Sequence, residues 1–209
     1  MKVKLINSMW DDSTPVQTAR VSYNGDFKVY SEEKNQALLD RLIKDQHLGV
    51  LEHITFSFII ECSIPIARQI MRYRTFSYNE LSRRYLDGEH TPFEFEVPEI
   101  RWNKETYPEL TREQKDRYHE IIWNHYNNSI NLYNELLDMW IAKETSRYLI
   151  PQGMKTRFYM TWNLRNFLHF INQRTDIHAQ KEIRDVAFEI KRLITEKVPK
   201  VMSSVEKYK

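Results

Sequence analysis

The most constraining feature of the sequence is a long helical pattern that starts at Thr111. Thr111-Arg112-Glu113-Gln114 matches a capping box, in which the threonine hydroxyl accepts the N–H three residues on and the glutamine side chain returns to the threonine N–H. From there to about Ala142, Tyr118, Ile122, Tyr126, Tyr133, Leu136, Leu137 and Trp140 recur along one stripe. About 30 residues rising ~1.5 Å each give a rod of roughly 45 Å. A chain of 209 residues fits one domain, residues 1–209. A rod that long overhangs such a domain, so it is expected to pack in an oligomer.

Around this rod the chain alternates short strands and helices. Val3 to Ile6 reads as an opening strand. Thr14-Pro15 reads as a helix cap with proline at the first helical position, and that helix is expected to stop near Asn24-Gly25. Ser31 starts a helix carrying Leu38, Leu39, Leu42 and Ile43, with Gly49 as its stop. Ile54 to Cys62 is rich in β-branched and aromatic residues and reads as a strand. Ser63 and Pro65 open a short helix into Arg72. Phe93-Glu94-Phe95-Glu96-Val97 alternates and is expected as a strand closed by Pro98. Lys143 to Ile150 suggests a short helix before Pro151, and Thr156 to Trp162 a strand. Asn163 caps a helix ending near Arg174, and Asp176 is expected to cap the last helix, along which Ile183, Val186, Ala187, Ile190, Leu193 and Ile194 keep helical spacing.

Composition excludes several classes of chemistry. The net charge of +2 is too small for bulk nucleic-acid or membrane binding, so an anion site must come from local clustering. The one cysteine, Cys62, cannot build a disulfide framework or a cysteine-based zinc site, and it reads as a buried small side chain. No secretory leader or apolar membrane span is visible, so a soluble cytoplasmic protein is expected. Neither a Gly-x-x-x-x-Gly-Lys-Ser/Thr loop nor a Gly-x-Gly-x-x-Gly turn occurs, and there is no Gly-x-Ser-x-Gly elbow. His47 with Glu52-His53 lacks metal-site spacing, so no metal is expected.

Local clustering is found between Arg72 and Tyr85, where Arg72, Arg74, Arg83 and Arg84 stand among Tyr73, Phe76, Ser77, Tyr78, Asn79, Glu80 and Ser82. The planar five-donor arginine fork suits phosphate and the carbonyl edge of a base, and the aromatics offer flat faces. Such a segment could hold a flat anion such as a nucleotide or a flavin. Standing alone it reads as the solvated, arginine-rich end of a helix. Arg147 and the cluster Asn163, Arg165, His169, Asn172, Arg174, Asp176, His178 and Gln180 read in the same two ways. An arginine-and-aromatic module for single-stranded RNA shares this design, although here the basic residues sit among acidic ones.

Taken together these residues resemble the flavin-dependent thymidylate synthases. That family carries Arg-His-Arg, seven residues, then Ser-x-Arg, which stands here as Arg72-Tyr73-Arg74, Thr75 to Leu81, then Ser82-Arg83-Arg84. Collinear matches include Ala19-Arg20-Val21-Ser22, Glu52-His53, Ala67-Arg68-Gln69, Arg147 with Pro151, Thr156-Arg157-Phe158, Trp162-Asn163-x-Arg165 and Arg174-x-Asp176-x-His178-Ala179-Gln180. The chain departs from the family's usual residues at Tyr73 (His), Arg83 (often Gly), His169 (Asn) and Gly49-Val50 (Thr-Pro).

The resemblance implies an α+β fold with a central, mostly antiparallel sheet flanked by helices, one of them long. It implies transfer of a one-carbon unit from methylenetetrahydrofolate to dUMP, with FAD reduced by NADPH supplying the hydride, in a homotetramer with active sites at subunit interfaces. Gln69, Arg72, Glu80, Ser82, Arg83, Arg84, Arg147 and Arg174 take the positions that hold dUMP. Ser82 and Arg174 take the catalytic ones. Ser22, His47, Glu52, Arg72, Tyr73, Arg74, Asn79, Glu80, Asn163, Arg165, His169 and His178 take those of the FAD site. Another pyrimidine nucleotide, or a different one-carbon product, is the nearest alternative.

Overall fold

The computed structural model describes residues 1–22, 29–100 and 110–208. Strands β1 (Lys2–Met9), β2 (Thr55–Ser63), β3 (Ser77–Glu80) and β4 (Lys155–Asn163) form a four-stranded antiparallel sheet in the order β1-β2-β4-β3. The helices are α1 (Thr14–Val21), α2 (Glu32–Lys44), α3 (Ile64–Met71), α4 (Arg112–Asp138), α5 (Lys143–Ser146), α6 (Leu164–Arg174), α7 (Lys181–Lys197) and α8 (Pro199–Lys207), with short 3-10 turns at Leu48–His53 and Arg147–Leu149. The expected stop at Asn24-Gly25 lies outside the described residues. Within β2, from Thr55 to Cys62, the odd positions are half-buried and the even ones buried, as its alternation predicts.

The chain divides into two compact units, one of Met1–Ile60, Gln69–Asn79 and Phe158–Lys209, the other of Glu61–Arg68 and Glu80–Arg157. The first is centred on Phe167 of α6, whose ring meets Phe56, Phe58 and Phe76 edge-on at 6.1, 5.2 and 4.8 Å. Ile183, Val186, Ala187, Ile190 and Ile194 of α7 are fully buried there, which is the stripe their spacing predicts. The second unit is centred on α4, whose capping box forms as expected. Only Tyr126, Ser129 and Tyr133 of α4 are buried, while Ile121, Trp123 and Leu132 lie exposed on the same helix. Phe95 stacks on Tyr126 at 4.6 Å and Phe93 meets Tyr133 edge-on at 5.1 Å.

Several elements differ from expectation. Helix α1 begins with Thr14 inside it and Ser13 as its cap. Helices α2 and α4 both stop before the sequence suggests, each on a Schellman motif closed by a residue other than glycine. Gln46 (φ 58) donates to Ile43 O while His47 donates to Leu42 O. Trp140 (φ 63) and Ile141 do the same to Leu137 O and Leu136 O. Gly49 therefore lies in a 3-10 turn beyond the helix, and Trp140 is almost wholly exposed. Phe93–Val97 forms one antiparallel bridge, Phe95 with Met154, in place of a strand. Its alternation still records facing, since Phe93 and Phe95 turn to the α4 tyrosines while Glu96 accepts Ser63 N–H. Asp176 caps the backbone of His178 rather than a helix, and the last helical stretch breaks at Val198 because Pro199 has no N–H to continue it.

Candidate active site

The residues implicated by sequence fall into both units. In the first, Arg72 and Arg74 follow α3 and are exposed, with no ion pair among the described residues. Between them the chain is held from inside: Tyr73 N–H donates to Ile70 O, and the half-buried Tyr78 hydroxyl shares its one proton between Ile70 O at 2.9 Å and Tyr73 O at 3.0 Å. Burial raises the Tyr78 phenol above its ordinary pKa, so it remains a donor. This clamp turns the Tyr73 ring toward α6, against Phe170 at 5.0 Å and His169 at 6.2 Å, and its hydroxyl donates to Gln173 Oε1 at 2.7 Å.

Arg174, the last residue of α6, lies over the Tyr73 ring with its guanidinium carbon 5.1 Å from the centroid. Its Nε is buried and has no hydrogen-bond partner among the described residues. A buried charged donor without an acceptor costs free energy unless a ligand supplies one. Gln69, on α3, donates to Gln180 Oε1 at 2.6 Å, which joins two of the sequence-predicted positions. Arg165 pairs with Glu52 at 2.5 Å, joining two more. Asn163 is committed to capping α6 through Asn166 N–H. His178 hydrogen-bonds Asp176 at 2.8 Å, and its backbone and ring hold that carboxyl below the ordinary range. Ser22, His47, Asn79 and His169 are exposed. A cavity of about 380 Å³ has Arg165, His169, Asn172, Leu48 and Leu168 in its wall, within the size range of small-molecule pockets.

In the second unit, Glu80 accepts Thr156 Oγ1 at 2.7 Å and Ser82 Oγ accepts Arg84 N–H at 3.3 Å. No base contacts Ser82 among the described residues, so nothing there turns its hydroxyl into a nucleophile. Arg84 and Arg147 meet on one residue that the sequence reading missed, Glu144: Arg84 pairs with its carboxylate at 3.4 Å and Arg147 Nε donates to its carbonyl at 3.3 Å. Lys143, also missed, pairs with Asp87 at 2.6 Å. Both belong to the short helix expected after α4, and the adjacent charges Lys143-Glu144 were the available signal.

Arg83 differs from its neighbours. It is buried, its two terminal nitrogens donate to Thr91 O (2.7 Å), Asp87 O (3.2 Å) and Pro92 O (3.4 Å), and its guanidinium lies 4.5 Å from the Phe93 centroid. Burial pulls it below its ordinary pKa, opposed by nearby Tyr133 and Asp87. It is expected on the nucleotide, and here its two terminal nitrogens hold the loop that follows Ser82 while Nε has no partner among the described residues. Cys62 is fully buried, and burial with the charges of Glu96 and Glu80 pushes its thiol up to about 12. At neutral pH it holds almost no thiolate.

A planar cation with a buried unsatisfied donor, exposed arginines and a clamped aromatic ring form a donor set suited to a flat, anionic group such as a nucleotide or a flavin. Comparison with known proteins gives the same direction. The family described as "Thymidylate synthase complementing protein" matches residues 4–200. The flavin-dependent thymidylate synthase of Thermotoga neapolitana is 36% identical over 206 residues, covering 99% of this chain and 91% of that one. The chain belongs to the flavin-dependent thymidylate synthase family. Among other members, that of Thermus thermophilus is 31% identical over 208 residues, covering 99% of this chain and 76% of that one. In three dimensions this family member is similar to the UMP/dUMP methylase PolB from Streptomyces cacaoi bound with 5-Br dUMP. That structure superposes with a TM-score of 0.88 at 26% identity, over 99% of this chain and 95% of that one. The same enzyme bound with 5-Br UMP gives a TM-score of 0.85 at 25% identity, over 99% and 94%.

Proposed function

We propose that this protein makes dTMP from dUMP, with methylenetetrahydrofolate as carbon donor and FAD, recharged by NADPH, as the hydride source. The observation that carries the reading is the family match over residues 4–200. That match spans both compact units, which supports one functional domain. The buried, protonated Cys62 adds to it, because a thymidylate synthase without a usable thiol needs another way to activate the ring.

FAD, when bound, supplies the hydride that completes the methyl group. The protein's own part is binding and polarisation. Arg174 faces the uracil carbonyls, and its unpartnered Nε–H stabilises the negative charge that develops on the ring as C5 becomes nucleophilic. Arg72, Arg84 and Arg147 take the phosphate, with Gln69, Glu80 and Ser82 on the nucleotide. Ser82 contacts substrate and does not attack it. Arg83 serves the site by holding the loop behind Ser82 and Arg84. Ser22, His47, Glu52, Arg72, Tyr73, Arg74, Asn79, Glu80, Asn163, Arg165, His169 and His178 make up the FAD site. The active assembly is a cytoplasmic homotetramer whose sites draw on more than one copy of the chain. Exposed Ile121, Trp123 and Leu132 on α4 support it, as apolar surface that assembly would cover. No helix among the described residues is long and apolar enough to cross a membrane.

The reading is tested on the flavin. The purified protein is expected to hold FAD and to bleach with NADPH in the absence of oxygen, and dUMP should perturb the bound flavin spectrum. A protein that takes up no FAD overturns it. The likeness to a UMP/dUMP methylase supports a second substrate, so UMP belongs beside dUMP in the same titration.

A further inference from the structure

We infer that Tyr73 is a positioning residue for Arg174, acting through the face of its ring. The inference deepens the proposed role of Arg174 on the uracil and rests on it. The ring that stands where the family commonly has histidine is half-buried and restrained at its backbone, its ring and its hydroxyl. Its backbone is pinned by the Tyr78 hydroxyl and by Ile70 O. It meets Phe170 at 5.0 Å, His169 at 6.2 Å and Phe76 at 6.4 Å in T-shaped contacts. Its hydroxyl is tied to Gln173, the residue before Arg174 on α6. The Arg174 cation lies over the ring at 5.1 Å, inside the ~6 Å over which a ring quadrupole attracts a cation.

Arg174 has few other restraints. It pairs with no carboxylate among the described residues, and its Nε has no acceptor. A long side chain at a helix end otherwise samples several rotamers, and ordering it on ligand binding costs entropy. The Tyr73 face holds the guanidinium while leaving the buried Nε–H without an acceptor, so that donor stays available to a ligand oxygen. A carboxylate partner would fix the arginine equally well but consume its donors. A histidine at this position weakens or reverses the attraction as it protonates, whereas the phenol stays neutral. Burial raises the Tyr73 phenol above its ordinary pKa, and the charge of Arg174 and its hydrogen bond to the phenol bring it only part of the way back.

The experiment compares Tyr73→Phe, which keeps the face and loses the Gln173 hydrogen bond, with Tyr73→Leu, which loses the face. Both are made in the full-length, FAD-loaded protein and in an Arg174→Gln background. The first readout needs no substrate: the ¹H–¹⁵N resonance of Arg174 Nε, assigned by its loss in Arg174→Gln. A proton held over a ring face is shifted upfield. The shift is expected in the wild type and Tyr73→Phe and absent in Tyr73→Leu. An unshifted wild-type resonance, or one that Tyr73→Leu does not move, overturns the inference. The second readout is dUMP affinity, expected to fall about five- to thirtyfold in Tyr73→Leu, the range of one desolvated cation–ring contact. In the Arg174→Gln background the Tyr73→Leu effect on dUMP should vanish, as required of a residue acting through another. An equal loss there, or a loss confined to FAD, overturns the inference. A wild type that binds no dUMP overturns the proposed function instead, and the resonance still decides whether Tyr73 holds Arg174.

Discussion

Replacing Arg83 with alanine should cost stability and leave the nucleotide site's own contacts in place. The guanidinium donates to the carbonyls of Thr91, Asp87 and Pro92 at 2.7, 3.2 and 3.4 Å and lies over Phe93 at 4.5 Å. Hydrogen bonds from a charged donor contribute about 1.5–3 kcal/mol each, and a desolvated cation–ring contact about 2. Against these stands the cost of burying a cation, several kcal/mol, and here Nε has no partner. The 3.4 Å bond is also too long to count fully. The expected net loss is about 2–4 kcal/mol, or a melting point lower by about 5–15 °C for a chain of this length. The assay is thermal denaturation at fixed protein concentration, since assembly makes the midpoint concentration-dependent. It is paired with dUMP titration well below the transition. Arg83→Lys should recover less than half of the loss, because one ammonium cannot copy a planar fork. If Arg83→Ala melts within about 1 °C of wild type while dUMP binding drops tenfold or more, Arg83 is a nucleotide ligand and the reasoning fails.

Three further outcomes follow from the same structure. A Cβ at Gly88 would sit 2.8 Å from the Phe93 ring, so Gly88→Ala should displace the ring from Arg83. It should destabilise by about 1–3 kcal/mol, and combined with Arg83→Ala the losses should add to less than their sum; strict additivity would show that the ring is not held there by the arginine. Asp40 accepts Lys207 Nζ, Ser204 Oγ and Gln36 Nε2, which ties α8 to α2 and holds its carboxyl at about 2, led by the Lys207 bond. Because the folded value lies below the ordinary one, this stability is present above about pH 4 and lost as pH falls toward the folded value. Asp40→Asn should therefore cost about 1–2 kcal/mol at neutral pH, after allowing for screening at the exposed lysine, and the gap to wild type in urea denaturation should close by the acid end of that window. A gap independent of pH would contradict the assignment. Gln46→Gly should raise stability by up to ~1 kcal/mol, since glycine adopts the left-handed cap conformation without a Cβ penalty; a loss of that size would mean that the Gln46 side chain contributes more than its backbone strain costs.

Much of the fold was legible because local signals agree with tertiary packing. The capping box at Thr111, the Asn163 cap, the alternation in β2 and the stripe on α7 each formed where the pattern put them. The misreadings share a cause. Helix ends at Gln46 and Trp140 use left-handed residues other than glycine, so the usual punctuation is missing from the sequence. Phe93–Val97 alternates because its aromatics face α4, which produces a strand-like pattern without a ladder to pair with. Of the site, Arg165 pairs with Glu52 and Gln69 with Gln180, contacts between positions far apart in the chain that its motifs name but do not pair. The inward turn of Arg83 was hidden, because its partners are backbone carbonyls, and carbonyls leave no trace in side-chain spacing. Glu144 and Lys143 were hidden in a similar way, as ordinary charges on a four-residue helix.

The central claim is that carbon is transferred to C5 of dUMP without a protein thiol. The most direct measurement is the nucleotide product, identified by mass spectrometry, when FAD-loaded protein is supplied with dUMP, methylenetetrahydrofolate and NADPH. It is made for the wild type and, side by side, for a folded Cys62→Ala variant. The account predicts dTMP from both at comparable rates. No methylated nucleotide from the wild type, or a product that disappears with the cysteine alone, would contradict it.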